Sequence, residues 1–176
     1  MKRLWLYGPL ALFSLLLGVA AYQLAQPKDE AVRSTLIGQP LPDFDLPAAL
    51  PGGAAVSAAD FADGQPRLLN FWASWCPPCV AEAPHLETLK EEGATIVGIA
   101  IRDTPENIQR FLNQHGNPYA AIGADNISEV QLVIGSSGLP ETFVIDGDGI
   151  IRHQHVGDVR AEHVPLLLEE LRKAGQ

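Results

Sequence analysis

The chain has 176 residues, 47% of them hydrophobic and 19% charged, which suits about one folded domain and excludes a disordered or collagen-like polymer. Acidic residues number 21 against 12 basic, and Lys2 and Arg3 take two of the basic ones before the body of the chain begins. That balance argues against a nucleic-acid partner, which needs clustered cations. Two cysteines, Cys76 and Cys79, are too few for a disulfide scaffold or a four-thiolate zinc site, and the pattern offers no metal site.

From Leu4 to Pro27 no residue carries an ionisable acid or base. As a helix this stretch measures about 36 Å against roughly 30 Å of bilayer hydrocarbon, so it is expected to be a single-pass inner-membrane anchor. Lys2 and Arg3 put its start in the cytoplasm and everything after it in the periplasm, and Trp5 and Tyr22 fall where interfacial aromatics belong. A cleaved signal peptide, with small residues near Ala20, Ala21 and Ala25, is the alternative, and it also exports the domain. The expected organisation is therefore an anchor at 1–27, a polar linker at 28–35 and one domain at 36–176.

Ala48–Gly64, rich in Ala and Gly, reads as a loop followed by a short helix. Arg67–Ala73 is a short β-prone apolar run, and Pro78–Glu92 has helical spacing closed by Gly93. Ala94–Ile101 is apolar on both faces, as a central parallel strand is. Thr104 caps a helix to His115 with Pro105 in its first turn. Tyr119–Gly123 reads as a strand and Ile127–Ile134 as a short helix. Thr142–Asp146 and Ile150–Val156 are strands joined by the turn Asp146-Gly147-Asp148-Gly149, and Arg160–Ala174 is an amphipathic helix. This alternation predicts an α/β fold, a central sheet with helices on both faces.

Trp75-Cys76-Pro77-Pro78-Cys79 follows a strand and opens a helix, where Cys-x-x-Cys reads as a redox pair. Unpaired amides and the dipole at a helix start favour a thiolate at Cys76, and Cys79 lies one turn on, placed to resolve a mixed disulfide. Two structural thiols, a two-ligand metal site or a haem-coordinating Cys-Pro pair are the other readings. Of Trp72 and Trp75, one is expected to pack and the other to shield Cys76. His153 and His155 share a strand face but lack a third ligand, and His85, His115 and His163 form no constellation. Glu91-Glu92 and Glu169-Glu170 read as solvated faces. Pro84 is expected to kink its helix.

Asn70–Cys79 (NFWASWCPPC) resembles the active-site segment of the thioredoxin fold, and Gly138–Phe143 (GLPETF) resembles its later loop with a cis proline at Pro140. Gly38–Leu46 (GQPLPDFDL) resembles the opening segment shared by peroxiredoxins and membrane-anchored thioredoxin-like proteins. Trp75 and Cys79 do not fit a peroxiredoxin. With the anchor and Gly138–Asp146, the chain resembles the cytochrome c biogenesis thiol:disulfide interchange proteins, the CcmG/DsbE family. That resemblance implies a thioredoxin fold with a central mixed sheet behind an N-terminal transmembrane helix. It also implies a periplasmic dithiol that reduces apocytochrome c or a maturation thiol protein before haem attachment, fed by a membrane thiol reductase and needing no cofactor. A general periplasmic reductase, an oxidant that introduces disulfides, and a non-catalytic module that holds apocytochrome or haem are the rival functions.

In this reading Cys76 attacks and Cys79 resolves, while Trp75, Pro140 and Glu141 border the substrate. Leu139-Pro140 is expected to face Cys76 and pair with an extended substrate by strand addition. Glu141 either favours a particular partner or is an ordinary exposed strand residue. Ordinary thioredoxins place a buried Asp where this chain has Asn70, and an amide cannot accept the proton of Cys79. The role is expected to pass to Glu82, three residues beyond Cys79 on the same helix face and among apolar neighbours. The alternative is a solvated helix glutamate.

Overall fold

A computed structural model describes residues 8–25 and 34–176. The chain divides into two compact units, Met1–Ala31 and Val32–Gln176. In the first, α1 (Gly8–Ala25) carries exposed Leu12, Phe13, Leu15, Leu16, Leu17 and Val19. Among the described residues no helix is long and apolar enough to cross a membrane. The 18 residues of α1 reach about 27 Å at 1.5 Å each, short of the hydrocarbon thickness. Lys2, Arg3, Trp5 and most of the expected linker lie outside the described residues.

The second unit is built on a five-stranded sheet. Its strands are β3 (Arg67–Trp72), β4 (Ile96–Ile101), β5 (Tyr119–Asp125), β6 (Glu141–Ile145) and β7 (Ile151–Val156), in the order β5-β4-β3-β6-β7. Strands β3, β4 and β5 are parallel, and β6 and β7 join antiparallel, so the sheet is mixed. The crossovers β3–α2–β4 and β4–α3–β5 run through α2 (Pro77–Glu91) and α3 (Pro105–His115). Both step the same way along the sheet, and right-handed crossovers then place both helices on one face. The last helix, α5 (Val164–Ala174), packs on that face too, with Leu167 in the same apolar cluster as Leu86 of α2. The opposite face is covered by the short pair β1 (Asp45–Leu46) and β2 (Val56–Ser57), a 3₁₀ turn at Ala58–Phe61, and α4 (Glu129–Val133).

Strand alternation decides what meets what. Along β3, Leu68, Asn70 and Trp72 point to the α2 face, while Leu69 and Phe71 point to the other. The predicted elements are present with ends moved by a few residues. The β1–β2 pair is additional: two-residue strands leave too little alternation to read, and the predicted loop at Ala48–Gly64 contains β2 as well as its short helical turn. Helix α5 begins at Val164 rather than Arg160, after a turn closed by a hydrogen bond from His163 N–H to the Arg160 carbonyl.

Candidate active site

Cys76 is the N-cap of α2 and is joined to Cys79 by a disulfide, with Cα atoms 5.3 Å apart. Both are buried, Cys79 slightly more deeply. The Cys79 amide reaches Cys76 Sγ at 3.3 Å and the Cys76 carbonyl at 3.0 Å. The expectation of several amides around Cys76 fails here. The first two helical positions are Pro77 and Pro78, which carry no N–H, so Cys79 supplies the first amide of the helix and, among the described residues, the one hydrogen bond to that sulfur.

A cleft of about 450 Å³ opens beside the disulfide. Trp75, Cys76, Pro77 and Pro78 line it, with Ile101 at the end of β4, Arg102 just beyond it, and Ser128, Gln131, Leu132 and Leu139. Trp75 is 56% exposed, and its indole N–H donates to the Arg102 carbonyl at 3.2 Å. Trp72 is the tryptophan that packs. It is wholly buried, stacked on Tyr119 with centroids 5.1 Å apart and close to Phe111. Gly98 permits that stack, because a Cβ there would fall 2.8 Å from the Trp72 indole nitrogen. The Leu139–Pro140 bond is cis. The Pro140 carbonyl accepts from Gly157 N–H, whereas neither the N–H nor the C=O of Leu139 has a partner among the described residues.

Glu82 is fully buried beneath the disulfide helix. Its Oε1 accepts from Asn70 Nδ2 at 3.2 Å and its Oε2 from Val159 N–H at 3.1 Å. Asn70 also donates to Thr142 Oγ1 at 3.0 Å and accepts from Tyr119 Oη at 2.9 Å. Desolvation raises the Glu82 pKa to about 8 against these donors. A solvated helix glutamate does not describe it. Glu141 is buried as well, on the opposite sheet face beside Phe143. It accepts from Ser137 N–H at 2.9 Å and from Gln154 Nε2, and burial raises its pKa. Neither expectation for Glu141 holds as stated: it is no exposed strand residue, and its side chain is enclosed by the loop and β7 instead of open to a partner.

The Redoxin family model matches residues 36–171. The chain belongs to the redoxin family. The thiol:disulfide interchange protein DsbE of Tatumella citrea is 40% identical over 166 residues, 92% of this chain and 90% of its own. DsbE of Vibrio cholerae is 37% identical across the whole of both chains, and HelX of Rhodobacter capsulatus is 35% identical over 97% of each. The thio-disulfide isomerase of Thermus thermophilus has a solved structure with a TM-score of 0.64 and 33% identity, covering 79% of this chain and 96% of that one. Like these redoxins, the chain is a thiol:disulfide interchange enzyme with a thioredoxin-like fold, and Cys76–Cys79 is its redox pair.

In this redoxin the fold brings Trp75, Cys76 and Leu139 to one cleft; Cys79 and Pro140 adjoin that lining without being part of it, and Glu82 follows Cys79 by three residues on α2. The histidines stay apart from it. His155 lies 4.4 Å from His163, ring to ring, and no group of three or more His, Cys, Asp or Glu among the described residues is arranged to hold a metal. The sequence reading does not single out Tyr119, Thr142 or Arg102. Thr142 is opposite Asn70 in the β3–β6 register, which no local pattern announces. Arg102 had a signal: it follows the apolar β4 run at the carboxyl end of a parallel strand, where ligands of α/β sheets bind.

Proposed function

We propose that this redoxin is a membrane-anchored reductant facing the periplasm. It acts in cytochrome c maturation on apocytochrome c or on a maturation thiol protein, with a membrane thiol reductase as its electron donor. The organisation is an anchor at 1–27, a linker at 28–35 and an exchange domain at 36–176. The uncharged run Leu4–Pro27 and the exposed apolar side chains of α1 support the anchor. The CcmG/DsbE resemblance supports the pathway.

One observation carries the reductant direction: among the described residues a single amide donates to Cys76 Sγ, while a buried carboxyl, Glu82, follows Cys79 by three residues on α2. A dithiol is strongly oxidising when its thiolate form is heavily stabilised. Here Pro77 and Pro78 withhold two donors from the thiolate, and Glu82, when ionised, opposes a second negative charge. Both effects favour the disulfide product and hence reduction of the partner.

The exchange balances in two steps. Cys76 thiolate attacks one sulfur of the substrate disulfide, forming an Sγ–S bond and expelling the other substrate sulfur as a thiolate that takes a proton from water. Cys79 then passes its proton to the Glu82 carboxylate and attacks Cys76 Sγ, so the second substrate sulfur leaves reduced. Two electrons pass to the substrate, and the protein ends as the disulfide seen here. An extended substrate has the free N–H and C=O of Leu139 to pair with.

The decisive experiment is a Cys79→Ser variant, in which the mixed disulfide on Cys76 persists and is identified by mass spectrometry. Capture of apocytochrome c or a maturation thiol protein is expected, together with a reduction potential well below about −120 mV. No adduct, or a potential at that oxidising end, overturns the reading. Carbonate extraction is expected to leave the full-length chain in the membrane. A soluble product beginning near Ala21 or Gln26 shows a cleaved signal peptide instead.

A further inference from the structure

The chain carries far more acid than base, yet the cleft beside Cys76 has no carboxylate among its lining residues. Its one charged lining residue is Arg102. Every other Lys and Arg side chain among the described residues donates to an acidic or amide side chain, Arg67 to Asp63, Arg152 to Asp146 and Arg172 to Glu169 among them. Arg102 is exposed and its guanidinium has no such partner. Asp103, its neighbour, is fully engaged elsewhere: it accepts from Ser74 N–H and Oγ at 2.6 and 2.9 Å and from Thr104 N–H at 2.8 Å.

The backbone at Arg102 is also held with purpose. Its φ is 47°, a left-handed conformation that is unfavourable for a residue with a Cβ. Two hydrogen bonds fix it there, from its own N–H to the Asp125 carbonyl at 3.1 Å and from the Trp75 indole to its carbonyl at 3.2 Å. The tryptophan that borders Cys76 is thus tied to the backbone of the residue whose cation borders the cleft.

We infer that Arg102 is a specificity-determining residue that binds a carboxylate carried by the disulfide-bearing segment, so that the preferred substrate is an acidic peptide. The inference deepens the exchange function proposed above and rests on it. A guanidinium draws in a carboxylate by its charge and donates hydrogen bonds to it, and an unpaired guanidinium in a carboxylate-free cleft loses no internal ion pair on binding one. An acidic substrate is otherwise repelled by this acidic protein, so the local cation decides whether such a segment is admitted at the thiols.

The test uses the reduced full-length protein in detergent with two extended peptide disulfides, identical except for Glu or Gln on each side of the cysteine, and reads the release of peptide thiol. The native protein is expected to favour the Glu peptide at low salt, with the preference largely gone near 1 M salt, where the screening length is about 3 Å. In Arg102→Gln the ratio of Glu-peptide to Gln-peptide rates falls about fivefold, the scale of an exposed ion pair. In Arg102→Lys most of the ratio survives. An unchanged ratio in Arg102→Gln overturns the inference, and so does an equal fall in Arg102→Lys, which assigns the effect to packing of the side chain. If the native protein reacts with neither peptide, the exchange reading itself fails and takes this inference with it.

Discussion

Two buried glutamates stand on opposite faces of the same sheet, close to the same exchange site, and touch different groups. Glu82 lies on the helix that carries the thiols, three residues from Cys79, and its two hydrogen bonds come from Asn70 and Val159. Glu141 opens β6, and its two hydrogen bonds tie the Ser137 loop to Gln154 of β7. Burial raises both pKa values. Burial therefore does not separate a proton carrier from a brace. What separates them is their setting: Glu82 shares a helix face with Cys79, whose proton it takes in the proposed exchange, and Glu141 holds the loop whose Leu139 is proposed to pair with the substrate.

The sharpest way to break this contrast is to replace each in turn with glutamine and time resolution of the mixed disulfide. A positioned general base contributes at least about a hundredfold, so Glu82→Gln is expected to slow resolution by about that factor. In the native protein only the ionised carboxylate can take the Cys79 proton, so resolution should quicken as pH rises through about 8. That inflection should vanish in Glu82→Gln and persist in Glu141→Gln. Quenched-flow measurement from about pH 6 to about pH 9.5, on both sides of the inflection, checks it. Loss of the inflection in both variants erases the distinction.

Stability gives an independent measure. Unfolded, Glu82 ionises near 4.5; folded, it holds its proton to about 8. Below the lower value both states are protonated and the group contributes nothing against folding. As pH rises between the two values the unfolded state sheds its proton first, so the fold loses on the order of 4 kcal/mol by the upper end. Urea unfolding of the oxidised protein at pH 5 and pH 8 should show this fall in the native chain and a much smaller one in Glu82→Gln. Glu141 contributes in the same direction, so Glu141→Gln removes a smaller part. Equal falls in native and Glu82→Gln chains show that Glu82 is already ionised in the fold.

How much of this is legible before folding depends on whether the cause is local. The redox pair is, because Cys76-x-x-Cys79 at a strand–helix junction is a local pattern, and Glu82 follows from i, i+3 spacing on one helix. Asn70 announces that the usual acid is missing. That Pro77 and Pro78 deprive Cys76 of amides is equally local, and the expectation of several donors overlooked it. The partners of Glu82 are not local: Val159 lies 77 residues away, in the segment between β7 and α5. The inward side of Glu141 depends on pairing with Phe71 in β3 and on Gln154 coming from β7, two registers that one strand of five residues cannot reveal.

The smallest effect belongs to Glu141 and sharpens the contrast from the other side. Glutamine keeps the shape of the side chain but offers one acceptor where Glu141 offers two, so the bonds from Ser137 N–H and Gln154 Nε2 cannot both be kept. An unsatisfied donor in that setting costs about 1–3 kcal/mol, drawn from the anchoring of the loop between Ser136 and Pro140. A small disulfide needs only Cys76 to be reached, whereas an extended peptide also needs Leu139 N–H and C=O held in place. Glu141→Gln is thus expected to slow exchange with a peptide disulfide about threefold relative to a small one, a modest part of that cost. Parallel rate measurements on the two substrates decide it. If both slow equally, Glu141 acts on the thiol chemistry after all, and the two glutamates are a pair rather than a carrier and a brace.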